Sequence, residues 1–309
     1  MMKKNIYTLL ILLFGAVSYL QAQVDPLFFQ QTQHRSLINP AATARGGNID
    51  AALLVRQQWV GFSDMATNAV YVSGFLNELQ SGIGLRFVMD KYGPTDTKNI
   101  KFNYAFFAAL NDDAVLSLGI GFGVMSNVYK GSDTYFFPQH GNDPVVPMET
   151  ISKAIPAFDF GAEFITRHFE LGASITHISY GRLDQMLVRP MRNYYSYSRV
   201  KVPINRHWDF IPGVTWHYNR MQSTYEANLG VRHNNNFTFN AIYRNPMNIG
   251  FSTGLTLIEG FRLAYSYDYG INTLSSYNGG SHEIVISYHI PVHISFIGTK
   301  IRFFKWKTF

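Results

Sequence analysis

Ala114-Val115-Leu116-Ser117-Leu118-Gly119-Ile120-Gly121-Phe122-Gly123-Val124 alternates from Leu116 onward between large apolar and small residues. Successive side chains of a strand point to opposite faces. Leu116, Leu118, Ile120 and Phe122 therefore share one face, and Ser117, Gly119, Gly121 and Gly123 the other. Three more stretches repeat the pattern. Phe158, Phe160 and Phe164 oppose Asp159, Gly161 and Glu163. Phe261, Leu263, Tyr265, Tyr267 and Tyr269 oppose Arg262, Ala264, Ser266, Asp268 and Gly270. Ile284, Ile286, Tyr288 and Ile290 oppose Glu283, Val285, Ser287 and His289. One face is continuously aromatic or aliphatic and the other small and polar, as in a barrel with an apolar exterior and a polar lumen.

Composition points the same way. Aromatics make up 16% of the chain, with 19 Tyr and 25 Phe, while charged residues reach only 15%, against the ~25% usual in soluble domains. After the first 22 residues no apolar run is long enough for a membrane helix. A closed barrel is the remaining way to satisfy every backbone group in lipid. The first 22 residues read as a cleavable signal peptide: Lys3 and Lys4, an apolar stretch from Ile6 to Val17, then Leu20-Gln21-Ala22 before Gln23. There is no cysteine, which excludes a lipidated N-terminus, disulfides and thiolate metal sites.

The expected fold is therefore all-β, a transmembrane antiparallel up-and-down barrel in the outer membrane. Its fourteen strands fall at 49–59, 67–76, 82–90, 98–110, 114–127, 155–166, 168–180, 193–202, 206–218, 223–233, 236–243, 247–258, 260–270 and 281–292. The stretch 193–202 has the weakest alternation, and parity supports it: with both termini in the periplasm the strand number is even. Then 111–113, Arg167 and Glu259 become short periplasmic turns, while 128–154, 181–192 and 271–280 face the cell surface. The expected organisation is a signal peptide at 1–22, a periplasmic N-terminal segment at 23–48, the barrel at 49–292 and a basic tail at 293–309 carrying Lys300, Arg302, Lys305 and Lys307.

The inner face carries Arg56, Arg86, Lys101, Arg232, Arg244 and Arg262 against Asp159, Glu163, Glu170, Asp209, Glu226, Asp268 and Glu283. Near balance suggests ion pairing, and a lumen occluded by side chains and the N-terminal segment, more than a single-sign field. Arg56 faces inward and could pair with Glu283 across the closing seam; Trp59 would sit at the outer interface, and Gly61 begins the turn.

Catalytic and cofactor chemistry is not marked. Gly119, Gly121 and Gly123 lie inside a strand without a following helix, so they form a small inner face rather than a phosphate loop. His289 and His293 have helical metal spacing at a strand end, and Asp112-Asp113 reads as a hairpin turn. Neither enzyme activity, a metal nor a cofactor is expected. Trp59, Trp208, Trp216, Tyr194, Tyr195 and Tyr197 read as an interfacial belt, with carbohydrate stacking as the alternative. The net charge of +6 has no basic stripe that would favour nucleic acid.

Four stretches in order carry a family resemblance: Asp25-Pro26-Leu27-Phe28-Phe29-Gln30 leading to Leu37-Ile38-Asn39-Pro40-Ala41; Val55-Arg56-Gln57-Gln58-Trp59-Val60-Gly61; Arg262 to Tyr269, which includes Asp268; and Gly280-Ser281-His282-Glu283 to Tyr288. Together they resemble the PorP/SprF family of Bacteroidetes outer-membrane proteins, associated with type IX secretion and gliding motility. The family's Asn-Pro-Ala-Tyr-Ala-Gly is here Asn39-Pro40-Ala41-Ala42-Thr43-Ala44. The resemblance implies a non-enzymatic barrel that serves export or surface anchoring of cargo. Its partners would be periplasmic and outer-membrane secretion components, a secreted cargo or surface adhesin, and membrane lipid. Asn39, Pro40, Arg56, Trp59, Gly61, Asp268, His282 and Glu283 are the structural or partner-contact candidates. A channel for small solutes is the competing expectation.

Overall fold

The computed structural model describes residues 26–45, 48–61, 64–131, 149–178, 191–245, 248–271 and 273–291. The expected signal peptide, the tail 293–309 and the middles of the two longest connections lie outside the described residues.

Fourteen strands are present among the described residues. They are β1 (Asn48–Gln58), β2 (Met65–Leu76), β3 (Ser81–Tyr92), β4 (Thr95–Asn111), β5 (Ala114–Lys130), β6 (Thr150–Thr166) and β7 (Phe169–Ile178). There follow β8 (Asn193–Val200, resumed at Val202–Pro203), β9 (Trp208–Asn219), β10 (Ser223–His233), β11 (Phe237–Arg244), β12 (Asn248–Ile258), β13 (Phe261–Gly270) and β14 (Ser281–Pro291). Each pairs antiparallel with its sequence neighbours, and β14 pairs with β1 from Asn48↔Pro291 to Gln57↔His282. Closure leaves no sheet edge for lipid to meet. The weakly alternating stretch 193–202 is β8, so fourteen strands are both expected and found.

The main departures are in length. β4, β5 and β6 each run 17 residues and extend past the expected stretches by three to five residues at the surface end, β4 also by one residue at the other. Such a strand is roughly 56 Å long and, even tilted, outreaches the ~25 Å apolar band. Beyond the band the outer face meets water as well, so polar residues stand on both faces and alternation fades at Thr95-Asp96-Thr97-Lys98 and Ser126-Asn127 while the hydrogen-bond ladder continues.

The two faces are as the alternation requires. Leu118, Ile120, Phe122, Phe160, Leu263, Tyr265, Ile284 and Ile286 are exposed on the outside. Their inward neighbours Ser117, Asp159, Glu163, Arg262, Ser266 and Glu283 are buried. So extensive an exposed apolar wall over a polar interior belongs in a bilayer. The connections 77–80, 112–113, 167–168, 204–207, 234–236 and 259–260 leave one end, which also receives the chain before β1 and after β14. The longest connections, 131–149, 179–192 and 271–280, all leave the other. Short turns mark the periplasmic end and long loops the cell surface.

The lumen is filled by the chain itself. Residues 26–45 belong to the segment assigned to the periplasm and also expected to occlude the lumen; they lie inside the barrel as three single-turn 3-10 helices: Phe29–Thr32, Arg35–Leu37 and Pro40–Ala42. Nearly all of this segment is buried, including Gln30, His34, Asn39 and Thr43. It descends the lumen, with Phe29 beside Glu283 near the surface end of β14 and Arg45 beside Glu163 near the periplasmic end of β6. Single 3-10 turns leave many backbone groups of a buried segment without internal partners, and the polar inner wall supplies them. This is the plug.

Two outcomes check this arrangement. Leu118→Arg, at mid-depth on the lipid face, should cost roughly 2–4 kcal/mol in urea-dependent refolding into vesicles. The chain has no cysteine, so single reporters are clean. Gln58→Cys should react with an impermeant maleimide on intact cells, and Asp112→Cys only after lysis.

Candidate functional site

Three side-chain clusters hold the plug. The surface-side cluster begins with Glu283 on β14, whose carboxylate accepts the amides of Phe29 and Gln30 at 2.9 and 3.0 Å. Arg56 on β1 is its cross-strand register partner and lies 3.7 Å away. Arg56 also donates to the Leu27 carbonyl at 2.9 Å and to Asp268 at 3.1 Å. Asn248 fixes the second Asp268 oxygen at 2.8 Å. Arg244 donates to the carbonyls of Leu27 and Phe28 at 3.1 and 3.0 Å while paired with Glu226 at 2.6 Å. The Phe29 ring lies between the two guanidiniums, 4.1 Å from Arg244 and 5.7 Å from Arg56, in cation–π geometry. It rests on Gly250, where a Cβ would collide with it.

The middle cluster centres on Asp159. Arg86 approaches it at 2.9 Å, fully buried Lys101 pairs with its other oxygen, and the His177 amide donates at 2.9 Å. That amide is aimed by a bulge, where His177 takes φ +58° as the β6–β7 register shifts, a backbone region uncommon for non-glycine residues. Arg86 also donates to the Leu37 carbonyl of the plug.

The periplasmic-side cluster gathers Glu163 and Glu170. Arg199 from the wall holds Glu170 at 2.9 Å, and Tyr197 donates to Glu163 at 2.8 Å. The plug supplies the remaining cations: Arg45 reaches Glu163 at 3.0 Å and also Glu170, and Arg35 pairs with both and stacks over the Tyr197 ring at 4.6 Å. Asn39 sits at the centre. Its amide nitrogen donates to the Ala162 carbonyl at 3.1 Å and to the Tyr197 hydroxyl at 3.0 Å, and its oxygen caps the Ala41 amide at 2.9 Å. Pro40 occupies the first helical position after this cap, where its missing N–H costs nothing. The turn fits only because Gly119 and Gly161 face it; a Cβ on either would strike Ala41 or Asn39.

Above the plug, at the surface end, lies a cup of about 400 Å³. Leu27, Phe28, Leu37 and Ile38 form its floor, and Trp59, Gln58 and Asn245 stand on its wall.

The structure thus joins Arg56, Asp268 and Glu283 in one cluster and seats Asn39 and Pro40 in another. Trp59, expected at the outer interface, lines the cup instead, because its φ of +51° turns the chain off the strand. Gly61 is in the following turn at φ +84°, which glycine adopts without steric cost. His282 is apart from the others: it points to the outer face, where its Nδ1 meets the Tyr265 hydroxyl at 2.7 Å. Of the expected aromatic belt, Tyr195 and Tyr197 are inside the lumen and Tyr194 pairs outward with Tyr218. Phe29, Arg35, Arg45 and Arg199 escape a reading of the sequence. A wall-wide charge tally looks balanced and hides that Glu163 and Glu170 lie together with one wall arginine.

Removing either partner of a buried ion pair strands the other, at roughly 3–5 kcal/mol. Arg45→Ala and Arg35→Ala should therefore each weaken plug seating, and the two combined, which leave Arg199 alone against Glu163 and Glu170, should weaken it further. Gly161→Val should unseat the plug with the barrel intact. The measurement is maleimide reactivity of Ala44→Cys, which is buried in the parent and should rise in the unseated variants.

Solved structures with a similar course are outer-membrane channels. The monoaromatic hydrocarbon channel CymD superposes with a TM-score of 0.50 at 11% identity, over 87% of this chain and 94% of that one. The Pseudomonas putida toluene transporter TodX gives 0.48 at 11% identity, over 85% and 93%. An engineered Rh. blastica porin gives 0.34 at 10%, over 79% and 99%. At these identities the likeness concerns the barrel fold alone. No curated protein sequence matches the chain. Residues 20–288, a span that takes in the plug and nearly all of the barrel, match the family described as type IX secretion system membrane protein PorP/SprF. The chain belongs to that family and is an outer-membrane β-barrel component of type IX secretion.

Proposed function

We propose that this barrel serves type IX secretion as a docking component, not as a conduit. The observation that carries the reading is the plug: residues 26–45 cross the lumen and are fastened to the wall at three depths. A conduit would need these contacts broken together, including buried ion pairs whose separation is costly. A docking component needs a rigid support with presented ends. In this reading the surface loops and the cup meet exported cargo or a surface adhesin. The periplasmic turns and the tail 293–309, which lies outside the described residues, meet ring or peptidoglycan-associated components. The cap and arginine clusters that seat Asn39 and Phe29 keep the support in one state. The family's link to gliding motility enters here as part of the same reading.

The competing reading is a channel for small solutes, such as the monoaromatic hydrocarbon channel CymD. The two readings differ in the lumen. Purified protein in a planar bilayer should give no stable large conductance, and deletion of residues 26–45 should open one; steady conductance of the intact protein would favour the channel. In cells, deletion of the gene followed by proteomics of medium and surface should show loss of one adhesin or of many cargo proteins. An unchanged profile would sink the secretion role.

A further inference from the structure

We infer that the cup above the plug is a binding site for the tip of a polypeptide, a chain end or a tight loop bearing an apolar side chain. The inference deepens the docking reading and rests on it, and three features of the cup support it. Its floor is aliphatic and aromatic, built by Leu27, Phe28, Leu37 and Ile38 of the plug with Met125 beside them. An apolar side chain set there leaves water without forfeiting a hydrogen bond, and methionine adapts to varied shapes. The wall is rich in carboxamides, among them Gln58, Asn99, Asn127, Gln222, Asn245 and Asn248. A carboxamide offers both a donor and an acceptor, the complement of a peptide group. The charged groups nearest the cup's floor are already committed: Arg56 and Arg244 hold plug carbonyls and carboxylates, Arg86 holds Asp159 and Leu37, Asp268 pairs with Arg56, and Asp90 accepts from Thr67, while Lys91 is exposed to solvent. The site therefore suits an uncharged ligand.

The barrel itself shows which uncharged ligand its wall can hold. Lower in the lumen the same inner faces bind a polypeptide by its main chain, through guanidiniums on carbonyls and Glu283 on amides. The carboxamides continue that lining upward in neutral form. Because the plug bounds the cup below, an occupant enters and leaves at the surface end. That geometry takes a tip rather than a threaded strand. At about 400 Å³ the cup is within the ~300–1,000 Å³ range of ligand pockets, room for a few residues. A neutral oligosaccharide would share the amide walls and the wall aromatics Trp59, Tyr92 and Tyr195, but four of the five floor residues, Leu27, Leu37, Ile38 and Met125, offer no ring face for a sugar.

The test places the photo-crosslinking residue p-benzoylphenylalanine at Asn245 in the full-length protein in secreting cells, with the same residue at Tyr225 on the lipid face as control. The expected result is a crosslink from position 245, and not from 225, to one contiguous terminal or loop segment of a protein that the same cells export. Crosslinks only to glycan or lipopolysaccharide, equal crosslinks from both positions, or none from 245 would overturn the proposal. A second variant separates this proposal from its parent reading. Asn245→Trp with Gln222→Trp narrows the cup above the plug and should lower export of the crosslinked protein at least tenfold, with barrel abundance unchanged. Normal export by this variant, where gene deletion abolishes export, would overturn the cup alone. Normal export after gene deletion would overturn the docking reading as well.

Discussion

The two hydrogen bonds from the Phe29 and Gln30 amides to Glu283 stand for the condition on which the rest of the structure depends. A segment of isolated 3-10 turns satisfies only part of its own backbone, and it can be buried only if something else satisfies the remainder. Here the wall does so. Arg56, Arg86 and Arg244 donate to plug carbonyls, Ser117 and Ser174 donate to those of Ala41 and Ile38 at 2.6 Å, and Glu283 accepts amides. Each arginine is in turn held by a carboxylate of the wall. The ion pairs are therefore best understood as positioning devices. A buried pair gives little net stability of its own, but it aims a guanidinium whose remaining N–H groups grip the plug.

Steric fit is the second half of the same condition. Gly119 and Gly161 admit the Asn39–Pro40 turn, and Gly250 admits the Phe29 ring. The small inner face that makes the strands alternate so clearly is thus also the mould of the plug. Wall and plug depend on each other electrostatically as well: Glu163 and Glu170 would be undercompensated without Arg35 and Arg45. An occluded lumen is a consequence of this complementarity, and it shifts attention from the bore to the barrel's two ends. The surface end gains a cup whose floor is the plug itself, so the same segment that shuts the bore also shapes the surface that the barrel offers.

How much of this was legible in the chain depends on the range of the interaction. Period-two alternation is local, and it placed all fourteen strands, including 193–202 through parity. It failed at the upper ends of β4–β6, where polar residues stand on both faces and no pattern distinguishes them. The Arg56–Glu283 neighbourhood was also legible, since closing an even-stranded barrel brings the first and last strands into register. The glycine face of β5 was recognised as small, but not what it was small for.

What the sequence determined by itself is the barrel: strand number, inside and outside faces, and membrane setting follow from side-chain alternation and from the need of backbone groups in lipid for partners. What only the tertiary structure decided is the fate of residues 26–45. The motif Asn39-Pro40-Ala41 is visible in the chain, yet nothing local says whether it sits in the periplasm or the lumen. The choice rests on contacts more than a hundred residues apart, such as Asn39 with Tyr197 and Phe29 with Glu283. Those partners become neighbours only after the barrel closes.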